Sequence, residues 1–383
     1  MKLAVITSSR ADYGLLRPFL LKANKDPFFN LKLIATGSHL SKDFGYTYKE
    51  IENDHLPIFS KIKIIQPKDT SLAITKTCSV AVDLFGKLYN TLKPDAILVL
   101  GDRYEIFCAV FAALFYKIPV VHYSGGEKTI GAYDDCIRHS ITKMSHLHLV
   151  SCDAYRKRVI QLGENPKTVY NVGSLGVDNI KHLKLLSKKE LELSLKITFN
   201  KPTILLSYYP ETLSKLTARE QFNKVLRALD AFKQHQIIFT KSNADNDGRI
   251  ISQMIDEYVK KNSNCVCFES LGVLRYLSAI KYSAVVVGNS SSGYTEVPSF
   301  NKPTVNIGNR QRGRVKASSI IDVELDAHKI TQALSKATSI AFNKKLIDHK
   351  SPFGNGTTST QMIAILKRIK LPQLIQKEFY DIA

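Results

Sequence analysis

The amino-acid sequence predicts an α/β protein made of two doubly wound domains, each a mainly parallel sheet covered by helices. Three observations carry that reading. The chain has 383 residues, too many for one ordinary core and suited to two of common size. Short continuous apolar runs alternate with helix-length amphipathic segments, and such runs are strands buried on both faces of a parallel sheet. The composition also breaks near the middle, where residues 181–201 (KHLKLLSKKELELSLKITFNK) are rich in lysine and leucine and separate two series of apolar runs.

The first series begins with MKLAVITSSRADYG. Its apolar run is too short for a secretory h-region and lacks a small-residue cleavage site, so it reads as a strand. LKLIATGS, AILVLGD, PVVHYS and LHLVSC follow, each ending in a polar or glycine-containing turn before a segment with helical spacing. After VYNVGSLGVDNI and the lysine–leucine stretch, the second series runs TILLSYY, QIIFTKS, CVCFES, AVVVGNS and PTVNIG. The connection between domains is placed near 175–200. No internal repeat or low-complexity segment is apparent.

Hydrophobic residues at 44% and charged residues at 23% place the chain among soluble globular proteins. No apolar stretch reaches the roughly 18 to 20 residues of a membrane span, so no membrane association is expected. The six cysteines (Cys78, Cys108, Cys136, Cys152, Cys265, Cys267) lack the paired spacing of a zinc ribbon or redox motif and read as reduced thiols of a cytoplasmic protein. A net charge of +20 calls for an anionic partner. Its lysines are spread along the chain with no basic run interleaved with aromatics, so nucleic acid is not the expected one.

Ligands of doubly wound sheets sit beyond the carboxyl ends of the strands. The loops to inspect are therefore SSRADYG, TGSH, GDRYE, GGEKTIGAYDDCIRH, GNSSSG and GNRQRGR. In GNSSSGYTEV, residues 288–297, small residues let a backbone approach a phosphate, and Ser290, Ser291, Ser292 and Gly293 would present N–H groups and hydroxyls at a helix start. Glu296, about one turn further on, suits a ribose diol because a carboxylate accepts two hydrogen bonds. Spacing alone leaves open the plainer alternative that Ser290 to Gly293 only cap a helix. Neither a dinucleotide fingerprint nor a P-loop lysine appears, and no histidine and cysteine cluster has zinc spacing. No cofactor and no metal ion are expected.

GGEKTIGAYDDCIRHSITKMSH, residues 125–146, concentrates titratable groups. Asp134 and Arg138, and Asp135 and His139, are four apart, so on a helix each carboxylate lies one turn below a basic partner. Surface ion pairs near a helix start would give the same pattern. A carboxylate held beside an imidazole is also a common acid/base pair, and Asp102 and Glu105 of GDRYE lie at the end of the neighbouring strand, where they would complete the set.

Together SSRADYG, LGDRYE, GGEKTIGAYDDCIRHSITKMSH, NVGSLGVD, GNSSSGYTEVPSFNKPTVNIGNRQRGR and FGNGTTS resemble the hydrolysing UDP-N-acetylglucosamine 2-epimerases, including bacterial enzymes that open routes to sialic, legionaminic and related nonulosonic acids. The motifs run from residue 7 to about 360. The resemblance implies a GT-B fold, two Rossmann-like domains facing each other across a cleft. Residues 1–178 would form the first domain and 179–369 the second, with a helix over 370–383 packing back on the first. It implies nucleotide contacts from Ser290, Ser291, Ser292, Gly293, Glu296, Tyr209 and Arg312, with Arg10 reaching the phosphates from the opposite wall. The sugar would face Asp102, Glu127, Asp134, Asp135, Arg138 and His139. These would remove the hydrogen beside the acetamido group and assist departure of the nucleoside diphosphate, after which water adds with inversion at that carbon. A cytoplasmic homodimer or homotetramer is implied as well.

Two positions depart from the family pattern. Ser124 stands in HYSGG where many relatives carry an acid, and Tyr209 stands in LSYYPET where a histidine is usual. Serine cannot act as a carboxylate base, and tyrosine keeps a hydroxyl donor without imidazole charge. The sequence leaves the sugar open between N-acetylglucosamine and a 2,4-diacetamido-trideoxy hexose, and the nucleotide between UDP and GDP. A glycosyltransferase of the same architecture is the alternative enzyme, and a nucleic-acid-binding protein is motivated by charge alone.

Overall fold

The structure, a computed structural model, describes residues 1–130, 132–241, 247–346 and 352–382. The chain divides into two compact units. Met1–Glu127, Tyr133–Asn179 and Phe353–Ala383 form the first, and Lys128–Ala132 with Ile180–Pro352 form the second.

The first unit runs β1 (Lys2–Thr7), α1 (Arg10–Ala23), β2 (Asn30–Thr36), α2 (Tyr48–Asn53), β3 (Ile58–Ile62), α3 (Ser71–Leu92), β4 (Ala96–Leu100), α4 (Tyr104–Phe115) and β5 (Val120–Tyr123). It continues through α5 (Asp134–Met144), β6 (Leu147–Val150), α6 (Asp153–Gln161), β7 (Val169–Asn171) and α7 (Leu175–His182). The second unit has α8 (Lys188–Leu195), β8 (Thr203–Ser207), α9 (Ala218–Leu229), β9 (Gln236–Thr240), α10 (Gly248–Lys261), β10 (Cys265–Phe268), α11 (Gly272–Tyr282) and β11 (Val285–Gly288). After these come α12 (Ser292–Thr295), β12 (Thr304–Ile307), β13 (Ile320–Val323), α13 (Ala327–Thr338) and α14 (Ile340–Lys344). Helix α15 (Thr358–Arg368) belongs to the first unit.

Among the described residues the first sheet has the order β3-β2-β1-β4-β5-β6-β7 and the second β10-β9-β8-β11-β12-β13. Neighbouring strands pair in parallel, as β1 does with β2 and β4, and β11 with β8 and β12. Each order reverses once, between β1 and β4 in the first unit and between β8 and β11 in the second. These reversals are the topological switch points at which open α/β sheets bind ligands.

Burial explains the strands. Every residue of β4, β5, β8 and β11 is buried, as a central parallel strand covered on both faces requires. In the first unit Leu3, Val5 and Leu98 pack with Leu16, Phe19 and Leu20 of α1 and Met362 and Leu366 of α15. On the other face Ala4, Ile97 and Val99 meet Phe85 and Tyr89 of α3 and Ile106 and Val110 of α4. The second unit repeats the plan with Phe222 and Val225 of α9 on one face and Leu277 and Ile280 of α11 on the other.

The ten apolar runs are strands, and β3, β7 and β13 are additional ones lying at sheet edges. A helix over 370–383 is not formed. Helix α15 ends at Arg368, a 3₁₀ turn covers Leu371–Leu374, and residues 375–382 carry no helix. Pro372 keeps α15 from running on through this stretch, since proline disfavours helical geometry in the residue before it and has no N–H to continue the ladder. The returning chain is held elsewhere: Asp178 of α7 accepts the backbone N–H groups of Thr358 and Ser359, both at 2.7 Å, and the Ser359 hydroxyl. Among the described residues no helix is long and apolar enough to cross a membrane.

Candidate active site

In the first unit the site begins where β4 and β5 end. Asp102 lies two residues past β4 and just before α4. After β5 the chain turns through Ser124, with φ at 68°, to Gly126, with φ at 77°. A Cβ on Gly126 would sit 2.5 Å from the Tyr155 carbonyl oxygen, so a side chain is excluded there. This turn delivers Glu127, only 6% exposed.

Helix α5 then brings up Arg138, whose side chain is 4% exposed. It donates to the Asp102 carboxylate and to the Ser124 carbonyl at 2.7 Å, and it lies 3.7 Å from a Glu127 oxygen. The Ser151 hydroxyl donates to the other Glu127 oxygen at 3.4 Å. Burial works against the guanidinium charge, but Asp102, Glu127 and Asp134 outweigh it and raise the arginine's pKa. Asp102, Glu127 and Arg138 thus form one assembly, with Asp134 adding charge from one turn away. Asp135 and His139 form a second pair, 3.6 Å apart and half-buried.

Glu105 does not join this assembly. It is fully buried and clasped by Arg103, whose Nε and Nη2 donate to its two oxygens at 3.2 and 3.1 Å. Burial raises its pKa, with Arg103 opposing. Next to it lies Asp12, which accepts the Ser8 hydroxyl at 2.6 Å and the Ser8 N–H at 3.1 Å. Its pKa is also raised by burial. Below the site His122 faces the Gly101 carbonyl at 2.9 Å through Nε2 and the Thr142 hydroxyl at 3.2 Å through Nδ1. Burial pushes its pKa down to about 3, so the ring is neutral and braces the loop that carries Asp102. Arg10 opens α1 and is half-buried.

In the second unit the loop after β11 meets the loop after β8. Asn289 accepts the Tyr209 N–H at 2.8 Å and returns its own amide to the Tyr209 carbonyl at 2.7 Å. Gly288 makes this approach possible, because a Cβ there would lie 1.9 Å from the Ser207 carbonyl oxygen. Ser290 to Gly293 follow, but α12 has only four residues before a 3₁₀ turn over Val297–Phe300. Glu296 is therefore at the break between the two rather than inside a helix. It is half-buried, and burial raises its pKa. Arg310, and not Arg312, reaches this loop: its guanidinium lies 5.1 Å from the Tyr209 ring centroid and it donates to the Asn289 carbonyl at 3.4 Å. Arg312, two residues on, has an exposed side chain. Glu211, which sequence reasoning missed, organises the turn by accepting the N–H groups of Asn309 and Arg310 at 2.5 and 3.0 Å. Its only sequence signal is its place in YYPET, just beyond a strand end. Among the described residues no group of three or more histidine, cysteine or acidic side chains is placed to hold a metal ion.

Two parallel α/β units, with carboxylates gathered around a buried arginine in one and a small-residue loop at the switch point of the other, define a two-domain enzyme of the GT-B-like class. The family model for UDP-N-acetylglucosamine 2-epimerase matches residues 21–367. The chain belongs to the UDP-N-acetylglucosamine 2-epimerase family. It is 41% identical to the Campylobacter jejuni GDP/UDP-N,N'-diacetylbacillosamine 2-epimerase (hydrolyzing), over 100% of this chain and 99% of that one. It is 39% identical to the Escherichia coli polysialic acid biosynthesis protein P7, covering 100% and 97%, and 33% identical to the Legionella pneumophila UDP-N,N'-diacetylbacillosamine 2-epimerase (hydrolyzing), covering 98% of each. In fold it is similar to the Neisseria meningitidis UDP-GlcNAc 2-epimerase bound to UDP-GlcNAc, with a TM-score of 0.81 at 18% identity over 96% of this chain and 100% of that one.

Proposed function

We propose that this chain hydrolyses a nucleoside-diphosphate-activated 2,4-diacetamido-2,4,6-trideoxy-glucose, which is N,N'-diacetylbacillosamine, to the free 2-epimeric sugar. The full-length likeness to two hydrolysing epimerases named for that sugar supports the choice over N-acetylglucosamine. The name of the polysialic acid relative supports a place in nonulosonic acid synthesis, and a nucleotide-sugar substrate with six free cysteines fits a cytoplasmic enzyme.

The observation that carries the reaction is the pairing of Arg138 with Asp102 and Glu127 beside the separate Asp135–His139 pair. Asp102 and Glu127 are engaged by the Arg138 guanidinium, so they fix the arginine and position the sugar. Asp135 and His139 move protons. The base takes the hydrogen from C2, the C1–O bond breaks, and the nucleoside diphosphate leaves with the bonding pair, giving a C1=C2 double bond. Water then supplies oxygen to C1 and a proton reaches C2 from the other face. The second unit holds the nucleotide, with Ser290, Ser291, Ser292 and Gly293 along the diphosphate, Glu296 at the ribose and Tyr209 beside them. Arg310 takes the place expected of Arg312.

Turnover in heavy water tests this reading: the free sugar carries deuterium at C2. Unlabelled product would mean cleavage of the anomeric bond alone, and absence of turnover without an acceptor would point to glycosyl transfer.

Self-association belongs to the same reading. Phe107, Phe111 and Phe115 run along α4 with ring centroids 6.1 and 5.2 Å apart, and Phe115 is 70% exposed. The exposed positions of α4 are Phe111, Leu114 and Phe115, with no charge among them, whereas a solvent-facing helix stripe is normally polar. Beside it α3 exposes Lys76 together with Asp83 and Lys87, which pair with each other at 2.8 Å. The two helices are about 33 and 18 Å long and pack on each other.

A further inference from the structure

Residues 375–382 form no helix, yet the segment is closely held. The Lys377 amine lies 2.9 and 2.7 Å from the two oxygens of Glu164 and donates to the Ser145 carbonyl at 2.8 Å. Glu164 is 3% exposed. It also accepts from Lys143 Nζ at 2.9 Å and faces His148 Nε2 at 2.9 Å, with His148 fully buried. Two residues beyond Lys377, the Phe379 ring covers Gly163 so closely that a Cβ there would be 2.3 Å from a ring carbon. The next N–H, from Tyr380, donates to the Gly163 carbonyl at 2.9 Å. The Lys143 amine lies 4.6 Å from the Phe379 ring centroid.

Three of these contacts reach one end of α5. Lys143 is in its last turn and Ser145 is its C-terminal cap. Glu164 and Gly163 follow α6, and His148 is on β6. The opposite end of α5, about 16 Å away along an 11-residue helix, carries Asp134 and Asp135, and Arg138 and His139 stand near its middle, about 9 to 10 Å from the Ser145 cap. A helix transmits an axial displacement along its whole length, because its backbone hydrogen bonds resist stretching. Arg138 must meet Asp102 from one loop and Ser124 and Glu127 from another, so it tolerates little displacement before its hydrogen bonds weaken.

We propose that Lys377 is a positioning residue for the reaction: residues 377–380 strap the C-terminal end of α5 to β6 and to the turn after α6, and so fix where Arg138 and the Asp135–His139 pair stand. As a statement about catalysis this rests on the reaction proposed above. Lys377 is suited to the task because the buried Glu164 carboxylate binds any nearby cation strongly. Lys143 approaches it from α5 itself and ties its last turn to the turn after α6, donating also to the Leu162 and Gly163 carbonyls at 3.3 and 3.4 Å, but does not reach the helix cap. Lys377 reaches both Glu164 and the Ser145 carbonyl, joining the helix cap to the neighbouring turn through one ammonium group.

The test uses Lys377→Met, which keeps the length of the stem and removes the charge, beside Lys377→Arg. The expected result is a kcat lowered about 10-fold or more, the scale on which small misplacements of catalytic groups act. KM should stay within about twofold, most of kcat should return in the arginine variant, and amide hydrogen exchange should quicken over residues 134–139. A folded Lys377→Met enzyme with unchanged kcat, or one altered only in KM, overturns the proposal. If Lys377→Met yields no folded protein, Phe379→Ala is read by the same kcat and exchange criteria, since it frees the segment from Gly163 and leaves the Glu164 ion pairs intact. Wild-type protein that releases no nucleoside diphosphate would defeat the proposed reaction instead. Hydrogen exchange over residues 134–139 would then still decide the strap.

Discussion

Arg138 donates to the Ser124 carbonyl at 2.7 Å, and Ser124 is held with φ at 68°, where a serine stays only under constraint. The arginine fixes the backbone of the loop as well as the carboxylates beyond it. Arg138→Met takes the guanidinium away from Asp102 and Glu127, and breaking a buried pair by removing one partner costs about 3 to 5 kcal/mol. Urea unfolding of the variant should show a loss on that scale, and turnover should fall below detection or by at least about 10²-fold. A variant as stable as wild type would mean that the two acids find other partners.

Asp135→Asn keeps size and hydrogen-bonding capacity while removing the ionisable group. Loss of a general acid or base costs about 10²- to 10⁴-fold in rate, and that is the expected fall in kcat with the nucleotide sugar still bound. Near-normal turnover would move the proton-transfer role to Glu127 or Asp102.

Ser291 precedes α12 in the loop assigned to the diphosphate. Ser291→Glu places a carboxylate against that anion and should abolish UDP binding in calorimetry while far-UV circular dichroism stays unchanged. Unaltered UDP affinity would remove the loop from the nucleotide site.

Phe115→Glu puts a charge into the exposed aromatic face of α4. Light scattering should find the variant monomeric at concentrations where wild type associates. An unchanged molar mass would exclude this face from the contact.

Stability should fall as pH drops below neutrality, and the sign follows from three buried histidines. Burial lowers His39 and His122 to about 3 and His146 to about 4. The folded protein therefore keeps them neutral while the unfolded chain takes up protons below about pH 6.5. Each group costs up to about 1.4 kcal/mol per pH unit between 6.5 and its folded value. Glu164 enters later: burial opposes its charge, but His148, Lys377 and Lys143 bring it down to about 2, so its contribution is lost only as pH falls below about 4.5. Urea midpoints measured from pH 8 to 5 should be level above 7 and decline below 6.5, less steeply in His39→Gln. A flat profile down to pH 5 would contradict the neutral, buried assignment.

The central strands were legible because a strand covered on both faces must be apolar throughout, as AILVL and TILLS are. The missed strands β3, β7 and β13 are edge strands. IFSKI alternates in exposure and VYN has three residues, so neither leaves a continuous apolar signature. The four-residue spacing of Asp135 and His139 was legible for the same kind of reason, since helix period is local. Arg138's partners were less so: Asp102 is 36 residues away in sequence and the Ser124 contact is to a carbonyl, which has no sequence signature. That Arg310 rather than Arg312 reaches the Asn289 loop turns on a two-residue difference in direction, set by Glu211 gripping the turn from about a hundred residues earlier.

The Asp178 clasp on Thr358 and Ser359 sets an order of events during synthesis. The second unit draws almost all of its residues from one uninterrupted stretch, Ile180–Pro352, so it can collapse while translation is still in progress. The first unit cannot finish at that stage, although most of it has already left the ribosome. Its face beside α1 stays open until α15 emerges with Met362 and Leu366, and Asp178 waits for its two N–H donors. The half made first is therefore completed last, and during that interval it is the part of the nascent chain with the greatest need of a chaperone.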